Sequence, residues 1–67
     1  MRIRQLECFR TLMIHGTMTR AAELLSISQP AISSTIANLE HETGLKLFVR
    51  KGGRLQPTPE ARLFFVE

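Results

Sequence analysis

Three residues that interrupt helices, Gly16, Pro30 and Gly44, divide most of this 67-residue chain into short segments. Glycine commonly ends a helix, whereas proline is tolerated in the first turn because its missing N–H has no helical partner there. The resulting pattern predicts three helices, over residues 3–15, about 20–26 and about 29–42. Thr19 and Ser28 are the expected N-caps of the second and third helices. A chain of this length forms one domain with a small core.

Apolar residues recur at helical spacing, and this spacing selects the faces that are expected to pack together. In the first helix the expected core face consists of Leu6, Phe9 and Met13, with Ile3 beside them and Leu12 flanking. In the third helix the expected core face consists of Ile32, Ile36 and Leu39. The adjacent alanines of the second segment allow another backbone to approach closely.

After Gly44 the pattern changes. Residues 45–50 have the composition of a strand, although their first part could also be a helical turn. Residues 51–54 are typical of a turn, and residues 55–56 form a short return strand. Thr58 then caps a helix that is expected to continue to residue 67, with Pro59 at its first position. The whole pattern predicts a mainly α fold, a winged helix-turn-helix with a three-helix core and a two-stranded wing.

Charge is distributed unevenly along the chain. Nine Lys and Arg against six Asp and Glu give a net charge of +3, which is compatible with nucleic-acid binding. Residues 24–39 contain no charged side chain, whereas residues 46–54 contain four positive charges and no acid. Basic segments bind phosphates, and neutral polar side chains can hydrogen-bond to base edges. On charge alone, a solvated loop beside an uncharged helix explains the pattern equally well.

Other functional classes lack their motifs in this sequence. The single cysteine, Cys8, cannot form an internal disulfide and indicates a reducing, cytoplasmic location, with Cys8 as a small flanking residue on the first helix. Cys8, His15 and His41 do not have the spacing of zinc ligands. We find no nucleophile elbow, no nucleotide-binding loop, no secretion signal and no apolar run long enough to cross a membrane. We therefore expect no enzyme, no cofactor, no metal site and no membrane partner.

Several short runs occur in a fixed order, at residues 18–25, 28–33, 36, 39–40, 44, 47–48, 50 and 57–60. Together they resemble the N-terminal DNA-binding domain of LysR-type transcriptional regulators, over the whole chain. The Ser-Gln-Pro-Ala-Ile-Ser run is highly specific for that family. Thr43, Pro57 and Ala61 depart from its usual Leu, Leu and Gly. The Gly-Arg-Leu-x-Pro-Thr wing is similar to a branch that includes the lysine-biosynthesis and the octopine and nopaline catabolism regulators.

The resemblance implies that the third helix enters the major groove of duplex DNA. The base contacts it implies are Gln29, Pro30, Ser33 and Ser34. Glutamine can pair bidentately with adenine, and a serine hydroxyl can serve a base or a phosphate. The expected backbone or minor-groove contacts are Thr19, Ser28, Asn38, Arg50, Lys51, Arg54 and Thr58, with Arg54 of the wing (50–54) in the minor groove.

Each of these residues also has a structural alternative. Thr19, Ser28 and Thr58 could serve only as helix caps, and each serine of the third helix could be simply solvent-exposed. Arg50 could pair with Glu40 or Glu42.

The resemblance also implies a division of labour along the chain. Residues 1–57 are expected to form the DNA-binding domain, and residues 58–67 the start of a linker or dimerisation helix. We expect the chain to be a piece of a longer bacterial regulator that works as a homodimer or tetramer. A C-terminal domain absent here would bind a small-molecule effector, which the wing suggests is amino-acid-like. The isolated chain is expected to be monomeric or weakly dimeric.

A winged helix that serves protein–protein contact is the alternative function. It predicts an exposed apolar surface on the third helix. The polar residues Ser33, Ser34 and Asn38 disfavour that alternative.

Overall fold

The fold is a three-helix core followed by a two-stranded wing and a short further helix. A computed structural model describes residues 2–52 and 54–65 of the chain. The elements are α1 (Ile3–His15), α2 (Met18–Leu25), α3 (Gln29–Thr43), β1 (Phe48–Lys51), β2 (Arg54–Pro57) and α4 (Pro59–Phe64). The order and kind of these elements confirm the predicted winged helix-turn-helix.

Local stop signals set the ends of α1 and α3 as predicted. Gly16 closes α1 with a left-handed φ of 77°, and Gly44 closes α3 with a φ of 72°. Glycine adopts this backbone conformation without the steric penalty that a Cβ imposes. At the start of α3 the hydroxyl of Ser28 accepts a hydrogen bond from the Ala31 N–H at 3.2 Å, and Pro30 lies in the first turn.

The start of α2 differs from the prediction. The helix begins at Met18 rather than near Arg20, and Thr17, not Thr19, is its N-cap. Thr17 has an extended backbone, and its hydroxyl accepts a hydrogen bond from the Arg20 N–H at 3.2 Å. Two threonines two residues apart offer equivalent caps in the sequence, and the cap forms at the one that directly follows the α1 stop. Thr19 therefore lies inside the first turn, with its side chain exposed.

The buried face of α1 also differs from the prediction. Gln5, Cys8, Phe9 and Leu12 are buried, whereas Ile3 is 79% exposed and Leu6 is 42% exposed. Gln5 can be buried because both ends of its amide are bonded: Oε1 accepts from the Arg2 N–H at 2.7 Å, and Nε2 donates to Glu42 at 3.2 Å. The core face is thus rotated around the helix, and Cys8 is a core residue rather than a flanking one.

The core joins all three helices to the wing and to α4. Ile32 and Leu39 of α3 are completely buried and Ile36 nearly so, as predicted. Around them the buried set is completed by Cys8, Phe9, Leu12, Ala21, Leu47, Phe48 and Ala61. The ring of Phe9 lies at its centre, with ring centroids 5.8 Å from Phe48 and 5.3 Å from Phe64. Aromatic rings at this separation and tilt stabilise a core beyond their buried area.

The wing is a hairpin whose two strands pair from Phe48 and Pro57 to Lys51 and Arg54. Only two residues separate the last pair, and Gly52 has a φ of 58°, as a tight hairpin turn requires. The link over residues 45–47 is neither strand nor helix, so the predicted strand begins later than expected, at Phe48.

The helix after the wing begins as predicted but ends early. Thr58 is its N-cap, and its hydroxyl accepts a hydrogen bond from the Ala61 N–H at 3.1 Å. The predicted continuation to residue 67 is wrong at Phe65, whose backbone is extended, while residues 66–67 lie outside the described residues. Leaving the helix at this point lets consecutive side chains, Phe64 and Phe65, both place their rings against Phe9.

Candidate nucleic-acid interface

The outward face of α3 is exposed, polar and uncharged. Because Ile32, Ile36 and Leu39 hold the opposite face in the core, solvent meets Pro30, Ser33, Ser34, Ala37 and Asn38. These side chains are small, or carry hydroxyl and amide groups that both donate and accept hydrogen bonds. The structure thus brings Pro30, Ser33 and Ser34, three of the predicted base contacts, onto one surface, with Asn38 further along the helix.

A cleft of about 220 Å³ lies where the start of α2, the start of α3 and the wing meet. Its walls are formed by Gly16, Thr17, Met18, Thr19, Gln29, Arg50, Arg54 and Leu55. The cleft therefore collects Gln29 and three of the predicted backbone or minor-groove contacts, Thr19, Arg50 and Arg54. Folding alone brings these residues together, since they come from four separate elements.

Two features make this cleft suited to an anion. It contains the two arginine side chains, and it faces the N-terminal end of α2, where the helix dipole is positive. Thr17 caps only the Arg20 N–H with its side chain. Within the described residues, the N–H groups of Met18 and Thr19 donate no hydrogen bond, so both can serve an anion at this end of α2.

Gln29 and Thr19 are in direct contact across the turn between α2 and α3. The Gln29 Nε2 donates a hydrogen bond to the Thr19 Oγ1 at 3.2 Å, and both side chains are exposed. This is a contact that sequence reasoning missed, because ten residues separate the partners and no local pattern connects them.

The basic side chains of the wing are exposed. Within residues 2–52 and 54–65, Arg50, Lys51 and Arg54 form no ion pair. Arg50 therefore does not pair with Glu40, whose carboxylate has other partners. That carboxylate accepts hydrogen bonds from the backbone of the link before β1 and lies 3.8 Å from the Lys46 ammonium.

Two predicted phosphate contacts, Ser28 and Thr58, are helix caps, but their surroundings differ. Ser28 is exposed and has a hydroxyl that could still donate a hydrogen bond. Thr58 is only 9% exposed, and its hydroxyl is directed at the carbonyl oxygens of Lys46 and Leu47 while it accepts from Ala61. These internal bonds of the Thr58 hydroxyl favour the structural alternative, in which Thr58 serves as a helix cap.

A second polar cleft, with a volume of about 420 Å³, lies between the start of α1 and α3. Arg2 and Arg4 line it together with Thr35 and Asn38 of α3. Sequence reasoning gave neither arginine a role. The sequence did carry a signal for this cleft. Two arginines lie at the start of α1, and its first turn has no acidic residue to pair with them.

The remaining chemically reactive groups do not form a site. Burial raises the pKa of the Cys8 thiol, an effect that the nearby Arg4 opposes. A thiol with a raised pKa forms little of the reactive thiolate at neutral pH. Among the residues that the structure describes, no cluster of three His, Cys, Asp or Glu side chains could hold a metal ion.

Helix, turn, helix and wing, with the second helix exposing a neutral polar face beside a cationic cleft, define the class of winged helix-turn-helix DNA-binding domains. The model of the family "Bacterial regulatory helix-turn-helix protein, lysR family" matches residues 3–62. The chain belongs to the LysR family, and it is the helix-turn-helix domain of a transcriptional regulator.

None of the helices in the described part of the chain is long and apolar enough to cross a membrane.

Known relatives are regulators as well. The chain is 56% identical over 64 residues to the regulatory protein NocR of Agrobacterium fabrum, which covers 96% of this chain and 21% of that protein. It is 48% identical over 67 residues to the octopine catabolism/uptake operon regulatory protein OccR of Rhizobium meliloti, covering 100% of this chain and 23% of that protein. The chain thus spans about a fifth of the length of these relatives. These similarities confirm the branch that the wing sequence indicated.

Solved structures of the family share the fold. The crystal structure of the BenM DBD/catB site 1 DNA complex superposes with a TM-score of 0.88 at 38% sequence identity, covering 96% of this chain and 72% of that chain. That neighbour is a complex with DNA.

Proposed function

We propose that this domain reads duplex DNA with α3 in the major groove and the wing at the minor groove. The observation that carries the proposal is the cleft shared by Thr19, Gln29, Arg50 and Arg54, beside the uncharged face of α3. A neutral hydrogen-bonding surface suits base edges, because such side chains give up little hydration energy on entering the groove. A cationic rim suits the phosphates that flank the groove.

The position of each predicted site residue in the fold gives it a role in this DNA contact. Gln29 contacts a base, with Pro30 apposed to the DNA and Ser33 and Ser34 as further base contacts. Ser28, Thr19, Asn38, Arg50 and Lys51 meet the sugar-phosphate backbone, and Arg54 enters the minor groove. An arginine at this position is attracted by the enhanced negative potential of a narrow minor groove. Thr58 is left out of this set because its hydroxyl is used inside the protein.

The protein-contact alternative finds no support on α3. Its outward face carries no large apolar side chain among Pro30, Ser33, Ser34, Ala37 and Asn38. The large exposed apolar residues occur on other elements, such as Ile14 on α1 and Leu24 on α2. A gel shift with random duplex at low and moderate salt separates the two functions, because only a DNA-binding surface gives strongly salt-sensitive binding.

We further propose that the whole protein divides at residue 57. Residues 1–57 bind DNA, and residues 58–67 begin a linker helix that pairs two copies on a partly palindromic site in the bacterial cytoplasm. An amino-acid-like effector would bind a further domain, in keeping with the similarity to a regulator named for octopine catabolism.

Selection of bound sequences from a pool of random duplex DNA tests the base-reading role. The variant Gln29→Ala should lose about 1–3 kcal/mol on the selected site and relax the preference at one or two base positions. Its affinity for random duplex should remain nearly unchanged, because a neutral side chain releases no counterion. The matched control is Gln56→Ala, which removes an exposed amide of β2 that lies outside the cleft. If Gln29→Ala lowers specific and random affinity equally, Gln29 does not read a base.

A further inference from the structure

The hydrogen bond between Gln29 and Thr19 joins the residue proposed to read a base to the cleft proposed to hold a phosphate. Thr19 lies in the first turn of α2 and lines that cleft with Arg50 and Arg54. Its hydroxyl oxygen accepts the Gln29 Nε2–H at 3.2 Å. Thr17, and not Thr19, caps α2, so the Thr19 hydroxyl is not needed to start the helix.

The contact leaves the base-reading atoms of Gln29 free. A glutamine amide has two N–H donors and one carbonyl acceptor, and pairing with adenine uses one donor and the acceptor. Thr19 engages the other donor. The hydroxyl of Thr19 therefore orients the amide without competing with a base.

The threonine hydroxyl also keeps its own O–H donor. This hydroxyl lines the cleft together with the side chains of Arg50 and Arg54, so it could donate to a phosphate oxygen bound there. Gln29 would then donate to Thr19, and Thr19 to the phosphate. Hydrogen bonds linked in this way polarise and strengthen one another. The linkage would also fix a flexible side chain before the base is met, which lowers the entropy lost on binding.

Resting on the proposed function, we propose that Thr19 is a positioning residue for base reading, which holds the Gln29 amide and ties its orientation to a phosphate in the cleft. Thr19 then determines how sharply Gln29 discriminates between bases. A residue that only gripped a phosphate would change affinity for all sequences alike.

A comparison of Thr19→Val with Thr19→Ser tests this role. Valine keeps the shape of threonine but lacks the hydroxyl, whereas serine keeps the hydroxyl. We expect Thr19→Val to reduce the discrimination at the base position of Gln29 by about two- to tenfold, the range of one net hydrogen bond. Thr19→Ser should retain it. Thr11→Val, on α1 and outside the cleft, is the matched control, and circular dichroism establishes that each variant is folded.

A double-mutant cycle with Gln29→Ala completes the test. Because Thr19 acts through Gln29, Thr19→Val should add no further loss of discrimination in the Gln29→Ala background. Additive losses, or equal losses on selected and random DNA, would overturn the positioning role while leaving Gln29 as a base contact. If Gln29→Ala itself leaves the base preference unchanged, the proposed function fails, and this inference fails with it.

Discussion

The carboxylate of Glu40 on α3 accepts a hydrogen bond from the backbone N–H of Leu47 at 2.7 Å. The same oxygen also accepts the N–H of Phe48 at 3.2 Å, at the point where β1 begins. Leu47 is completely buried, so its N–H cannot turn to water instead. One side chain of the proposed recognition helix therefore fixes where the wing leaves the core, and so sets the position of the wing arginines relative to α3.

Removal of this carboxylate should destabilise the fold. Glu40→Ala leaves buried N–H donors without an acceptor, which costs about 1–3 kcal/mol in the free energy of unfolding. Glu40→Gln keeps one carbonyl oxygen and should lose less. Urea unfolding measures the difference, with Glu23→Ala as the control because the Glu23 side chain is exposed and pairs with the exposed Arg20. A loss for Glu40→Ala no larger than that of the control would contradict the structural role.

Replacement of Arg54 should weaken DNA binding and flatten its salt dependence. If this side chain neutralises one phosphate, Arg54→Ala lowers the magnitude of the slope of log K against log salt by about 0.9. Titration of a labelled duplex at several salt concentrations gives the slope. Arg10→Ala serves as the control, since Arg10 is exposed on α1 and lies outside the cleft. An unchanged slope at Arg54→Ala would remove Arg54 from the interface.

Thr58 should matter for stability and not for DNA binding. Thr58→Val keeps the shape of the side chain but removes the hydroxyl that caps α4 and bonds the link before β1, at a cost of about 0.5–2 kcal/mol in the free energy of unfolding. Thr58→Ser should retain most of that stability. Both variants should bind duplex DNA like the parent once the unfolded fraction is subtracted. Equal losses of affinity for selected and random duplex by Thr58→Val, beyond its unfolded fraction, would show that this residue does meet a phosphate.

Stability should decline at alkaline pH through Cys8. Burial raises the pKa of this thiol above its ordinary value of 9.0, so the folded chain holds the proton more tightly than the unfolded chain does. The resulting contribution is fully present below pH 9.0 and is lost as the pH rises through the folded-state pKa. Urea unfolding between pH 7 and pH 10 should therefore show a shallower decline for Cys8→Ala. Parallel declines for both proteins would mean that other groups account for the alkaline loss.

Cap and stop residues were predictable because they act locally. Gly16, Ser28 and Gly44 are each required by the backbone of their own helix end, so the sequence around them is sufficient. The start of α2 was misplaced since Thr17 and Thr19 are both good caps in isolation. Only the conformation of the preceding turn, which makes Thr17 extended, decides between them.

The buried face of α1 was less predictable because apolar residues occur almost all around that helix. Spacing alone favoured Ile3 and Leu6, yet packing against α3 turned Gln5 and Cys8 inward. The burial of Gln5 depends on Glu42, which lies 37 residues away and is invisible to any local pattern. Tertiary partners, rather than periodicity, therefore select the face.

The candidate interface also has one part that the sequence predicts and one part that depends on tertiary contacts. The exposed polar face of α3 followed from the spacing of Ile32, Ile36 and Leu39, because a helix that buries these three turns its opposite side, with Ser33, Ser34 and Asn38, outward. The cleft could not be predicted, since its walls come from the turn after α1, two helices and both wing strands. The contact between Gln29 and Thr19 belongs to that long-range part.

The core-facing and outward-facing residues of α3 lie on opposite sides of the helix, so its outermost polar residues can be exchanged for one another. Ser33, Ser34 and Asn38 are exposed, so we expect their replacement by other polar residues to leave folding nearly unchanged. If α3 reads DNA as proposed, a lineage carrying this scaffold can acquire a new target sequence one substitution at a time, without passing through unfolded intermediates. The same property makes α3 a suitable helix for randomised libraries in which only the DNA preference is selected.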